Sequence, residues 1–237
     1  MRNPAAGGGR WVDVPPQRLV PWIVTFSQRH GEGTVSRDEA GVTVTFNAAD
    51  GAAAECHPPF PPLQRAGTQD DGDPAAVTEA IVAHAVADRT VGVLLVRLGG
   101  YAVGVFAGSP PQLVSSKTGS RPVHGRSAAG GWSQHRFARR RENQAATALQ
   151  AAADAAAAIF GPCRLDALVL GGDKRSIAGL RDDPRLASYL GLATDRFLTV
   201  PDPRLAVLKE TPRSFLAIRI RLTEPKPDGS GAAEHVQ

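Results

Sequence analysis

Three strand-like runs, residues 91–98, 101–107 and 112–117, follow one another with only Gly99–Gly100 and residues 108–111 between them. Links this short force neighbouring runs to pair antiparallel, because a parallel crossover needs a dozen or more residues. The three runs are therefore expected to form a meander. A loop follows over 118–133. An Ala-rich helix then runs to about Phe160, where Gly161–Pro162 supplies a stop. Residues 165–170 are continuously apolar, as a strand buried on both faces requires. Residues 176–190 read as mostly helical and 197–200 as a brief strand. The succession strand-strand-strand-helix-strand-helix-strand (βββαβαβ) is typical of ribonuclease-H-like α/β domains with a mixed sheet. Residues 203–209 read as a helical turn. Residues 214–222 alternate polar and apolar side chains and read as a half-buried strand.

The first ten residues are rich in Pro, Gly and Ala and read as disordered. Pro15 and Pro16 sit where a helix start tolerates them. Leu19, Trp22, Ile23 and Phe26 follow at helical spacing, and Gly31 ends the run. Strands at 42–46 and 52–56, joined by a turn-rich link, suggest a hairpin. A Pro-rich, then acidic, linker over 57–74 marks a boundary, and 75–87 reads as a helix. The expected organisation is disorder over 1–10, an N-terminal helix and hairpin extension over 11–66, an α/β domain over 75–222, and a disordered tail over 223–237.

Hydrophobic residues make up 42% of the 237, enough to bury a core, so wholesale disorder is disfavoured. No apolar run approaches the roughly 20 residues of a membrane span. No apolar signal core opens the chain, and a cytoplasmic protein is expected. Cys56 and Cys163 fit no metal or redox spacing and read as reduced thiols. The placement of charge says more than the net +4. From Arg89 to Arg141 there is no Asp or Glu, but nine of the 27 Lys and Arg. The other 18 face 23 acidic residues. A positive segment on an otherwise acidic chain suits a polyanion, most simply nucleic acid phosphate; the plain alternative is a solvated charged face.

Two-metal nuclease chemistry needs several carboxylates, one of them normally on the first strand. Residues 91–98 carry none, nor do the next two strands; Asp166 and Asp173 alone make a poor cage. No metal site is expected. The unusual segment is 123–141. Gly125, Gly130 and Gly131 allow close approach to another backbone. Arg126, Arg136, Arg139, Arg140 and Arg141 can pair with phosphates bidentately. Lys117, Arg121 and His124 extend the basic surface. Trp132 offers a face for stacking on a base. Gln134 stands where loop becomes helix, beside Ser133. Its amide is no base at neutral pH, but it can orient a water, and free amides at a helix start can steady an oxyanion. The set suits attack by water on an ester attached to a nucleic acid. Taken singly, Gly130–Gly131 is a hinge, Trp132 a core anchor and Gln134 a helix-start residue.

The segment Gly130-Gly131-Trp132-Ser133-Gln134-His135-Arg136-Phe137-Ala138-Arg139 resembles the catalytic motif of the middle domain of eukaryotic and archaeal class-I release factors. That motif reads Gly-Gly-Gln-Ser-x-x-Arg-Phe-Ala-Arg after a His-Gly-Arg segment. Here His124-Gly125-Arg126 precedes it, with Ser127-Ala128-Ala129 inserted. Trp132 occupies the place of the release-factor glutamine, and a glutamine follows two residues later. The Gly131-to-Gln134 spacing is similar to that of the release-factor-like domain of VMS/ANKZF proteins, above all an actinobacterial branch. Leu168-Val169-Leu170-Gly171-Gly172-Asp173-Lys174 also resembles a release-factor strand leading into a Gly-rich turn and a Lys. The resemblance spans about 117–174. It implies a ribonuclease-H-like fold and cleavage of peptidyl-tRNA on split large ribosomal subunits during quality control of stalled translation. Gln134 would be catalytic, with Gly130, Gly131, Trp132 and Ser133 supporting the loop. The basic residues named above would dock on the tRNA acceptor end and ribosomal RNA. No counterpart of a stop-codon-reading domain is visible, which implies codon-independent action. A monomer is expected, and no cofactor. The alternative is a non-catalytic RNA- or ribosome-binding module of the same fold.

Overall fold

The computed structural model describes residues 3–4, 8–63, 72–97, 99–120 and 133–225. In chain order, β1 (Asn3–Pro4) and β2 (Arg10–Val14) precede α1 (Pro16–His30). Next come β3 (Thr34–Arg37), β4 (Val44–Asn47), β5 (Ala53–His57) and α2 (Pro74–Ala85). The meander strands are β6 (Val91–Arg97), β7 (Gly100–Ala107) and β8 (Gln112–Ser120), followed by α3 (Ser133–Phe160). Then β9 (Ala167–Gly172), α4 (Lys174–Ala178), α5 (Ala187–Leu190), β10 (Ala193–Leu198), α6 (Leu205–Phe215) and β11 (Ile218–Thr223) complete the chain. It divides into two compact units, Met1–Ala85 with Leu216–Gln237, and Val86–Phe215.

The first unit is built on a six-stranded sheet in the order β1-β2-β11-β5-β4-β3, antiparallel throughout. Leu19, Ile23, Phe26 and His30 recur at helical spacing and form the buried stripe of α1. The Gly31 amide closes the helix on the Ser27 carbonyl at 2.8 Å. Val77 and Ile81 of α2 join the same core, as do Ile218, Ile220 and Leu222 of β11.

The second unit holds a five-stranded sheet in the order β10-β9-β6-β7-β8. The links between β6, β7 and β8 give antiparallel pairs, while β9 lies parallel to β6 and β10 parallel to β9. α3 buries Ala152, Ala153, Ala155, Ala156 and Phe160 against this sheet. Alanine at four inward positions lets the helix backbone approach the strands closely.

Several expectations need correction. The sequence reading assigns 214–222 to the α/β domain. The strand instead begins at Ile218, because α6 continues to Phe215, and it pairs with β2 and β5. Helix 75–87 ends at Ala85 and packs in the first unit's core. Residues 176–190 hold the end of one short helix and all of another: α4 stops at Ala178 with Gly179 as its C-cap, and α5 begins at Ala187, beyond Pro184, which has no N–H to continue a helix. Part of the expected disorder over 1–10 is structured: Asn3 and Pro4 pair with Trp11 and Arg10. Arg10 opens β2; residues 1–2 and 5–7 of that stretch, and residues 226–237 of the expected tail, lie outside the described residues, as do 64–71 of the linker. No described helix is long and apolar enough to cross a membrane.

Candidate functional site

Strand direction decides where the chain leaves β8 for the basic segment 121–132. β7 is antiparallel to both β6 and β8, so β6, β8, β9 and β10 all run the same way. Their C-terminal ends line one edge of the sheet. One row across that edge reads Arg97, Gly100, Ser120. The row beneath it reads Gly172, Val96, Tyr101, Gly119. Segment 121–132 therefore starts from the edge that also carries the Gly171-Gly172-Asp173-Lys174 turn, three strand spacings or roughly 14 Å away. In open α/β sheets the carboxyl ends of the strands are where ligands bind.

The geometry of that turn is tightly set. Gly172 has φ +101°, a conformation that disfavours any Cβ. A Cβ there would also lie 2.1 Å from the Val96 carbonyl oxygen, so the strands could not close. The Asp173 amide then donates to Val96 O at 2.8 Å. The Asp173 carboxylate caps α4, accepting from the Ser176 hydroxyl at 2.8 Å and from the Ser176 and Arg175 amides. The Ser176 hydroxyl, then these amides and the Arg97 guanidinium, hold this carboxyl below its usual range. Lys174 Nζ lies 5.8 Å from the centre of the Phe197 ring, within cation–π range. Arg97 donates to Val200 O at 2.7 Å. Asp166 accepts from the Thr90 amide at 2.7 Å. It precedes β9 while Asp173 follows it, so these carboxylates are separated by a strand length of roughly 20 Å.

Of the sequence-predicted site residues, Lys117 stands exposed on β8 opposite Val103. Val103 and its row neighbour Leu94 are buried in the core shared with α3. Residues directly opposite share a face, so Lys117 lies on the α3 side of the sheet. Ser133 and Gln134 open α3, and Arg136, Arg139, Arg140 and Arg141 belong to its first three turns. The positions of their side chains lie outside the described residues. Arg121, His124, Arg126, Gly130, Gly131 and Trp132 also lie outside them. The backbone of α3 contributes one further feature. The first four amides of a helix have no partner within it and carry the positive end of its dipole. Gln134 is thus flanked by anion-stabilising N–H groups. Arg97 and Lys174, to which the sequence reading gives no separate role, stand at the same strand ends. The signal for both is position, Arg97 ending a central strand and Lys174 following a Gly-Gly turn.

Residues 89–221, more than half of the chain, match the family described as the Actinobacteria/chloroflexi VLRF1 release factor. Among solved structures, the chain is similar to the archaeal translation termination factor aRF1, with 13% identity and a TM-score of 0.38. That match covers 84% of this chain and 62% of the archaeal one, so this chain spans less than two thirds of that factor's length. The Vms1 mitochondrial localization core is matched at 11% identity and a TM-score of 0.36, over 78% of this chain and 77% of that one. S. cerevisiae Dom34, a translation termination-like factor, is matched at 7% identity and a TM-score of 0.30, over 89% and 66%. No curated protein matches the chain.

Proposed function

The chain belongs to the Actinobacteria/chloroflexi VLRF1 release factor family, and from that premise we propose that it hydrolyses peptidyl-tRNA on stalled large ribosomal subunits. The observation that carries this reading is the position of Gln134 as second residue of α3, the helix that follows β8 in the chain, with β8 ending at Ser120 among the C-terminal strand ends. The Gln134 side-chain carbonyl would accept a hydrogen bond from water and aim its oxygen at the ester carbonyl carbon. It would remove no proton itself. As water adds, negative charge builds on the carbonyl oxygen, where the open amides of α3 or ribosomal RNA would stabilise it. The bond from carbon to the ribose oxygen then breaks, and a proton from the water ends on that oxygen. The products are a peptide with a free carboxylate and a deacylated tRNA. No cofactor enters the scheme.

Lys117, Arg121, His124, Arg126, Arg136 and Arg139–Arg141 would dock on the acceptor end and ribosomal RNA. Trp132 would support the loop with Gly130, Gly131 and Ser133. The strand order β10-β9-β6-β7-β8 supports a ribonuclease-H-like reading of the second unit. The protein would act in the cytoplasm as a monomer. The test is peptide release from purified large subunits carrying peptidyl-tRNA. Gln134→Ala should lower the release rate on the order of 100-fold or more while leaving ribosome binding intact. Release by the variant at the wild-type rate would remove Gln134 from the catalytic role, and ribosome binding without any release by the wild-type chain would return it to the non-catalytic RNA-binding reading.

A further inference from the structure

The first unit carries a concave basic site that the proposed hydrolysis does not use. Its volume is about 280 Å³ and its lining includes Arg10 of β2 and Arg18, Trp22, Phe26, Arg29 and His30 of α1. Arg18, Trp22 and Arg29 are spaced four and seven residues apart, so they share one helix face. Arg18 and Arg29 lie about 16 Å apart along the axis by helix rise. Both are exposed. Among the described residues neither is within ion-pair distance of a carboxylate. Two other lining residues already hold acids: His30 pairs with Asp50 at 2.8 Å and Arg10 with Glu224 at 3.8 Å. The half-buried Trp22 lies nearly parallel to Phe26, with ring centres 5.8 Å apart and planes at 6°. One more flat ring would extend this stack.

We propose that this face of α1 binds single-stranded RNA, with a base stacked at Trp22 and flanking phosphates held by Arg18 and Arg29. A volume slightly below the roughly 300–1,000 Å³ of drug-sized pockets suits one base at a time, with the backbone passing outside. The combination of arginines with an accessible indole is what separates RNA from an acidic peptide. Both ligands satisfy the cations, but only a base uses the ring, and every base has a face to stack.

The test uses the full chain and a fluorescein-labelled 12-nucleotide single-stranded RNA containing 4-thiouridine. Photocrosslinking followed by peptide mapping reads position directly, so binding through residues 117–141 does not mask the result. Crosslinks are expected within α1. Arg18→Ala with Arg29→Ala should weaken binding and reduce the log–log salt slope by about 1.4, at about 0.7 per phosphate neutralised on a single strand. Trp22→Phe should retain most of the affinity. Trp22→Leu, which keeps apolar bulk but cannot stack, should lose about tenfold. Crosslinks confined to other segments, or an unchanged salt slope, would overturn the proposal. So would a neutral Trp22→Leu combined with polyglutamate competing as well as RNA, the behaviour of a surface for acidic proteins.

Discussion

A methyl group at residue 172 would test how tightly the Gly-Gly turn is bound to the sheet. Gly172→Ala places Cβ 2.1 Å from Val96 O and at φ +101°. Left-handed geometry alone costs about 1–2 kcal/mol. The clash with a strand backbone adds to it, so the thermal midpoint should fall by roughly 5 °C or more. Gly108→Ala is the control: φ is +89°, but the nearest atom would be 3.6 Å away, so only the smaller conformational cost applies. Equal midpoints for the two variants would show that strand closure tolerates the methyl. The neighbouring Asp173 gives a pH-dependent signature. Its folded-state pKa is depressed, chiefly by the Ser176 hydroxyl. Its contribution is therefore present above the ordinary carboxylate value of about 3.9 and disappears as pH falls through the lower folded value. Asp173→Ala should cost about 1 kcal/mol near pH 7, as for a missing helix cap. The gap in midpoint from wild type should narrow as pH falls below about 4. A constant gap would deny the carboxylate that role. The glycines and Lys174 were legible as a turn after an apolar strand. The approach to Val96 was not, because it depends on pairing across 76 positions of sequence.

At the scale of elements, local rules worked where connections were short. Glycine turns specified the β6–β7–β8 meander, and the Ala-rich run specified α3. They failed where the apolar signal was thin. β3 has only four residues, with Val35 buried among polar neighbours. β8 runs three residues beyond the expected 117, since Thr118, Gly119 and Ser120 carry no strand pattern yet pair with β7. That extension sets where segment 121–132 begins. α3 allows two predictions. Replacing Arg139, Arg140 and Arg141 with alanine should weaken RNA binding and reduce the log–log salt slope by nearly one for each phosphate left without its arginine. An unchanged slope would make these arginines a solvated face. At the other end, Ala155 and Ala156 are fully buried against the sheet. Ala155→Leu should overfill that interface and destabilise by about 1–3 kcal/mol, read by denaturant midpoint. No change would mean that helix and sheet can separate slightly at no cost.

At the scale of the whole molecule, the chain leaves its first unit after α2 and returns to it for the last strand. Alternation over 214–222 marks a half-buried strand but does not name its partners, and no local signal links it to residues 10–14 or 53–57. Only the pairing of β11 between β2 and β5 does so. This connectivity makes the C-terminal strand indispensable to the N-terminal sheet. Without it, β1 and β2 have no pairing to β5, β4 and β3. Its side chains Ile218, Ile220 and Leu222 are 0%, 0% and 4% exposed. Burial of each contributes roughly 1.5–3 kcal/mol, a sum comparable with the whole stability of a typical domain, roughly 5–15 kcal/mol. Truncation after Phe215 should therefore unfold the first unit. Val86–Phe215 keeps its own sheet and core and should remain folded. Hydrogen exchange read by mass spectrometry separates the two. Peptides covering β2, α1 and β5 should exchange at unfolded rates, while β6, β7 and β9 stay protected. Retained protection in β2 and β5 would show that the remaining strands close up without β11. Loss of protection throughout would show that the two units fold as one cooperative body.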